Sequence, residues 1–213
     1  MKTRHIAIVL SLLSVPANAA DVTLKANDWD IQYSQGVPSH PTNPWQFNFP
    51  RCSKVQGTKC GVDYINTPKG PKLKGASAIA MTFIVTGNSP EWIWETNKPP
   101  CNRGASVYLF FQQGNALDNN EFHRWWSVQP FPLSVTAPMA QNLLSVQLDP
   151  SKWLSVFGKV GNSSSDATKG FNKALANASR IGMTFGGGCN AGHGVAVKSG
   201  SAAFKLLNYQ VMP

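Results

Sequence analysis

The chain has 213 residues, 42% of them hydrophobic, with 19 lysines and arginines against 10 aspartates and glutamates, for a formal net charge of +9. That length supports one large domain with a packed core, and no second composition regime divides it. The basic residues are dispersed and never adjacent, which fits general attraction to anionic surfaces or polymers and argues against a specific nucleic-acid stripe.

At the amino terminus Lys2 and Arg4 precede an apolar stretch from Ile6 to Val15, and Ala17 and Ala19 obey the small-x-small rule of a secretory cleavage site. The stretch is too short to span a bilayer, which takes about 20 residues. Residues 1–19 are therefore read as a signal peptide and 20–213 as a single domain, secreted or periplasmic, with no transmembrane segment. Glycine and proline, 18 and 15 residues, interrupt the rest too often for long helices. Between them lie short runs of strand character beginning at Val22, Ala78, Ala105, Arg124, Leu143, Arg180, His193 and Ala202. "VYLFF", apolar on both faces, predicts a central strand covered on both sides. Residues 163–179 break the pattern, because Phe171, Ala174, Leu175 and Ala178 share one helical face behind capping serines. "KSGS" at 198–201 predicts a tight turn that sends the last strand back antiparallel. The expected fold is all-β: a jelly-roll-like antiparallel β-sandwich with one short helix and long loops over 36–50, 67–74 and 87–103.

Cys52, Cys60, Cys101 and Cys189 make an even set in a chain bound for an oxidising compartment, so two disulfides are expected. Three connectivities are open. The closeness of Cys52 and Cys60 around a loop with Gly57 suits a local bridge, leaving Cys101 for Cys189. None of the gaps is the C-x2-C pair of a structural zinc site, and no cofactor or metal is assigned. A loop at Asp118 to Glu121 gathers oxygen ligands without EF-hand spacing, and the His40, His123 and His193 positions form no linked set. In "GGGCNAGHG" a disulfide at Cys189 removes any Cys–His nucleophile, so the glycines are read as a tight connection and His193 as bonded to a loop carbonyl or carboxylate. Asn162 and Asn177 open N-x-S sequons, relevant only in a eukaryotic host.

The functional signal lies in aromatic loops. Trp92 and Trp94 flank carboxylates at Glu91 and Glu95, and Arg124, Trp125 and Trp126 follow His123. A pyranose needs a flat apolar face and polar groups for its hydroxyls. The expected ligand-binding residues are Trp92, Trp94, Glu95, Arg103, Arg124 and Trp125. Alternation places Trp125 and Trp126 on opposite faces, and one of each pair can serve as a core anchor instead. Glu91 and Glu95, with Asp118 or Glu121, could supply a hydrolase pair, but no local motif assigns one a raised pKa.

The carboxyl-terminal half resembles secreted bacterial β-sandwich domains of the galactose-binding-like or carbohydrate-binding-module type. The residues that carry this are Trp153, Ser155, Val156 and Gly158, then Phe171, Leu175 and the strand from Ile181 to Phe185, with "NPWQFNFP" at 43–50 and "RWWS" at 124–127. The resemblance implies a sandwich and carries no catalytic residue onto this chain. A noncatalytic glycan-binding protein, with a polysaccharide or glycan as partner, is the leading expectation. A structural or protein-binding domain is the alternative, and a polysaccharide hydrolase or lyase stands behind both.

Overall fold

The computed structural model describes residues 19–53, 60–95, 104–114, 120–135, 140–189 and 191–213. Residues 1–18, Cys101, Arg103, Asp118 and Asn119 lie outside the described residues. Two antiparallel sheets face each other. The five-stranded sheet contains β1 (Ala20–Asp21), β12 (Val195–Met212), β5 (Ala78–Trp94) and β9 (Asn142–Gln147) in that order, with β3 (Gln46–Asn48) also on β12. The seven-stranded sheet runs β10 (Trp153–Ser155), β7 (Arg124–Ser127), β6 (Ala105–Gln113), β11 (Ala178–Gly187), β4 (Tyr64–Thr67) and β2 (Asp30–Gln32), with β8 (Phe131–Pro132) also on β6.

One cluster of buried residues drawn from both sheets fills the space between them. Period-2 alternation on β11 sends Ile181, Met183 and Phe185 into it, and on β6 it sends Val107, Leu109 and Phe111. Aromatic rings dominate: Phe204 stacks on Phe83 with centroids 4.7 Å apart and meets Phe185 edge-on at 5.6 Å. Tyr209 of the five-stranded sheet donates its hydroxyl to Gly182 O of the other sheet at 2.8 Å, so the layers are joined by a buried hydrogen bond as well as by packing. As "VYLFF" predicts, β6 is central and buried on both faces.

Two expectations are corrected. The chain does not reverse at 198–201: β12 runs unbroken from Val195 to Met212 and pairs with β5 from Trp94 to Ala78. Register shifts at Val197/Ser199 and Ser199/Ser201 absorb the irregularity, and Gly200, at φ +74°, takes a backbone conformation that glycine reaches without strain. The turn signal marks a bulge. For the same reason residues 87–94, expected as loop, belong to β5.

The helix α1 (Ser165–Ala176) has Ser164 as its N-cap, whose hydroxyl accepts from Ala167 N at 3.1 Å, and it buries Ala167, Phe171 and Ala174. Phe171 sits edge-on to Phe111 and Trp125, with centroids 5.6 and 5.3 Å away. Ala178 lies past the helix and begins β11. Cys52 and Cys60 form the local disulfide, and Cys189 is disulfide-bonded as well.

Candidate functional site

The core takes every second residue of the seven-stranded sheet, so the alternate residues project from its outer face. Strand register lines them up in rows. One row crosses the sheet as Asp30, Asn66, Gly182, Phe110, Trp126 and Leu154. The next contains Gln32, Tyr64, Thr184 and Tyr108, and on the other side lies Arg180, Gln112 and Arg124. Asn66, Gln112 and Thr184 are almost fully buried and Arg124 is 8% exposed. Polar groups held so far from water need hydrogen bonds, and the face supplies several of them internally. Arg180 Nη1 donates to Asp30 Oδ2 at 3.0 Å and to Asn66 Oδ1 at 2.5 Å, and Asn66 Nδ2 donates to Gln32 Oε1 at 3.2 Å. Arg124 Nη1 reaches Tyr64 Oη at 3.1 Å, with its guanidinium 5.3 Å from the ring centre. Burial pushes the Tyr64 hydroxyl pKa up, and the neighbouring Arg124 charge opposes the shift.

The glycine-rich loop closes over one end of this face. Gly188 N donates to Gly104 O at 3.0 Å, Gly192 N and Gly194 N both bond Phe185 O, and Tyr108 Oη donates to Gly187 O at 2.7 Å. A side chain at Gly192, where φ is +76°, would run into the Tyr64 hydroxyl, and one at Gly187 would strike the Trp94 indole. Glycine is thus required at both places by close approach. The loop draws the aromatic strand end of β5 towards Tyr64. His193 Nδ1 lies 3.4 Å from Glu95 Oε2, so of the two expected kinds of partner, carbonyl or carboxylate, it faces a carboxylate.

Beneath them is Asp63, the residue preceding β4. Its backbone is fixed by Ser34 Oγ, by Thr184 Oγ1 and by Phe185 N. Its side chain is buried, and Oδ1 has no hydrogen-bond partner among the described residues. Desolvation, with a smaller contribution from the nearby Glu95 charge, raises the Asp63 carboxyl from 3.8 to about 8. Asp63 is therefore a neutral acid at pH 7.

The expected ligand residues divide. Trp94 and Glu95 meet the glycine-rich loop, and Arg124 lies on the polar face. Trp92 is half-buried, edge-on to Phe49 at 4.9 Å. Trp125 is a core residue: it is fully buried, stacks on Phe122, and donates Nε1 to Phe122 O at 3.0 Å. Its ring has no free face for a ligand, whereas Trp126 on the opposite face is half-buried. Glu91 is held by Lys198 and Ser199, hydrogen bonds that lower its pKa, while Glu95 faces His193. The two glutamates are engaged separately. Tyr64, Asn66, Gln112 and Arg180 were invisible as a group to local patterns, since they converge only through strand pairing. Tyr33 was also missed. It is 51% exposed, has φ +54°, and lies edge-on to Tyr64 at 6.4 Å; a bulky residue in the left-handed region is strained.

Among the described residues no group of three or more His, Cys, Asp or Glu is placed to hold a metal ion, and no helix is long and apolar enough to cross a membrane. What fold and site define together is an all-β, two-sheet sandwich with a polar outer sheet face. No family model, no curated protein and no solved structure matches the chain.

Proposed function

We propose that this is a secreted or periplasmic, noncatalytic glycan-binding protein of the carbohydrate-binding-module kind, with its ligand at the accessible rim of the outer face of the seven-stranded sheet. The observation that carries the reading is the rim of that face: Tyr33 is exposed and Trp94, Glu95, Trp126 and His193 are half-buried, around strands whose own amide, guanidinium and hydroxyl groups are buried. Strand-borne groups keep their geometry better than loop-borne ones, and a pyranose needs flat apolar rings alongside polar groups. Tyr33 at one margin and Trp126 towards the other supply the apolar ring faces, and Trp94, Glu95 and His193 extend the site at the glycine-rich loop.

Binding of the oxidised protein to a glycan array at low and high salt tests the proposal, followed by Tyr33→Ala and Trp126→Ala. Selective binding that survives salt, reduced by roughly 2 kcal/mol or more in one variant with an unchanged melting temperature, is the expected result. Binding that disappears in salt, or that neither substitution alters, would refute this site.

A further inference from the structure

Asp63 sits where one stretch of chain crosses between the two sheets. Val62, before it, pairs with Val195 of the five-stranded sheet, donating N to Val195 O at 2.9 Å and accepting from Val195 N at 3.2 Å. Tyr64, after it, pairs with Thr184 of the seven-stranded sheet. The Asp63 carboxyl is thus enclosed at the junction of the layers, in a residue only 1% exposed, and its Oδ1 lacks a partner among the described residues. Trp94, the residue paired with Val195 on β5, has a buried Nε1 that lacks one as well.

The junction is thin. Val62 and Val195 form an isolated bridge rather than a ladder, whereas β11 pairs with β6 along nearly its whole length. Gly192 N and Gly194 N, at 3.1 and 3.2 Å from Phe185 O, tie the segment leading into Val195 to the seven-stranded sheet. Cys189 anchors the base of that loop through its disulfide. The titratable and charged groups around Asp63 are Glu95 at the end of β5, His193 of the loop facing Glu95, and Tyr64 on its own strand, whose hydroxyl is held by Arg124 of β7. Thr184, Phe185 and Ser34, which fix the Asp63 backbone, carry no charge. A second negative charge beside Glu95, in a place closed to water, is strongly disfavoured. Opening a thin region costs less than unfolding the sandwich.

We propose that Asp63 is the latch of a pH-operated gate. With its proton on, the junction stays closed; loss of the proton opens it locally and draws Val195 and the glycine-rich loop away from Val62 and Phe185. The rim made by Trp94, Glu95 and His193 then comes apart. That the gate regulates ligand binding rests on the glycan reading of that rim, while the gate itself rests on the junction alone. In the open form the carboxyl meets water and titrates at its ordinary 3.8, and in the closed form it is held up to about 8. Between these limits the open form has lost the proton that the closed form keeps, so each rise of one pH unit favours opening about tenfold. Above pH 8 both forms are ionised and the dependence ends.

The test is hydrogen exchange of the full chain from pH 5 to 9, with each amide expressed as protection relative to its free-peptide rate, on the wild type and on Asp63→Asn. The amides of Val62, Gly192, Gly194 and Val195 are expected to be less protected than those of Phe111 and Met183 on the central strands. They should lose protection by about tenfold per pH unit up to pH 8 in the wild type and keep it in Asp63→Asn. Equal protection at Phe111 and Met183, falling in step with the junction, would mean global unfolding and overturn the gate. Junction protection independent of pH in the wild type would overturn it too, and needs no variant. A neutral hexose oligomer is then titrated at pH 6 and pH 8.5. It should bind the wild type about threefold or more weakly at the higher pH and bind Asp63→Asn equally at both. Unchanged binding to a wild type whose junction has opened would overturn the regulatory role. No oligomer binding at either pH would count against the glycan reading, and the exchange result alone then decides the gate.

Discussion

The neutral carboxyl of Asp63 ties protonation to folding. In the unfolded chain the group titrates at its ordinary 3.8, and in the folded protein it is pushed up to about 8. Below pH 4 both states carry the proton and the group has no effect on stability. As pH rises from 4 to 8 the unfolded state releases its proton while the folded state keeps it, so stability falls by about 1.4 kcal/mol for each pH unit. Above pH 8 both states are ionised and the slope vanishes, with a total loss of at most roughly 6 kcal/mol. Asp63→Asn is nearly isosteric and cannot ionise. Urea unfolding of both proteins at half-unit steps from pH 4 to 9 isolates this group, because other titrations cancel in the difference. The variant is expected to gain on the wild type steadily with pH, reaching up to about 4 kcal/mol at pH 7. Glu95→Gln, which removes the neighbouring charge, should shift the upper end of the sloping region to lower pH. A stability difference independent of pH, or a variant that loses stability at pH 8, would show that the buried carboxyl is ionised and paired in the folded protein, refuting the argument.

Three further outcomes follow from the packing. Gly192→Ala forces a side chain into the Tyr64 hydroxyl and ring at positive φ, and should lower stability by about 2 kcal/mol or more; thermal unfolding of Gly192→Ala and of Gly192→Ala/Tyr64→Phe separates the hydroxyl's share of the clash, which the second change removes, from the ring contact and the backbone strain, which it does not. Ser164→Ala deletes the helix cap on Ala167 N and should destabilise by about 1 kcal/mol in urea titrations; no change would mean that water satisfies that N–H equally well. Cys52→Ser/Cys60→Ser opens a bridge across a sequence separation of eight, and loop-closure entropy gives a loss of about 2.5 kcal/mol, read as a lower denaturation midpoint with Cys189 still oxidised.

How much of this was legible from the sequence depended on the range of each interaction. Strand alternation, the helix and the local disulfide rest on neighbours within a few residues. Phe171 and Ala174 could be assigned to a buried helical face from their spacing alone, and Cys52 and Cys60 to each other from their separation. "KSGS" misled because a glycine at positive φ serves a turn and a bulge equally well, and the choice was made by β5, more than a hundred residues earlier, which offered a continuous partner through Trp94. The tryptophans misled for a related reason. "RWWS" reveals that Trp125 and Trp126 oppose each other, but only the helix packing against Trp125 decides which of them is core.

The polar face shows this dependence most fully. Arg124 was recognisable as a polar residue beside aromatics, yet nothing near it in sequence identifies Tyr64 as its partner, 60 positions away. Gln112 ends an apolar strand, Arg180 begins one, and Asn66 sits inside four residues that are all buried. Taken singly, each reads as an imperfect strand position. Their meaning comes from register: β11 pairs with both β4 and β6, and thereby aligns polar residues that would otherwise be isolated liabilities in buried surroundings. Gly182 completes the arrangement by having no side chain between Asn66 and Phe110. A one-residue slip of β11 would turn Arg180 and Thr184 into the aromatic core and Met183 and Phe185 out of it. The demands of core and outer face therefore select the same register, and the packing that stabilises the sandwich also assembles the proposed binding surface.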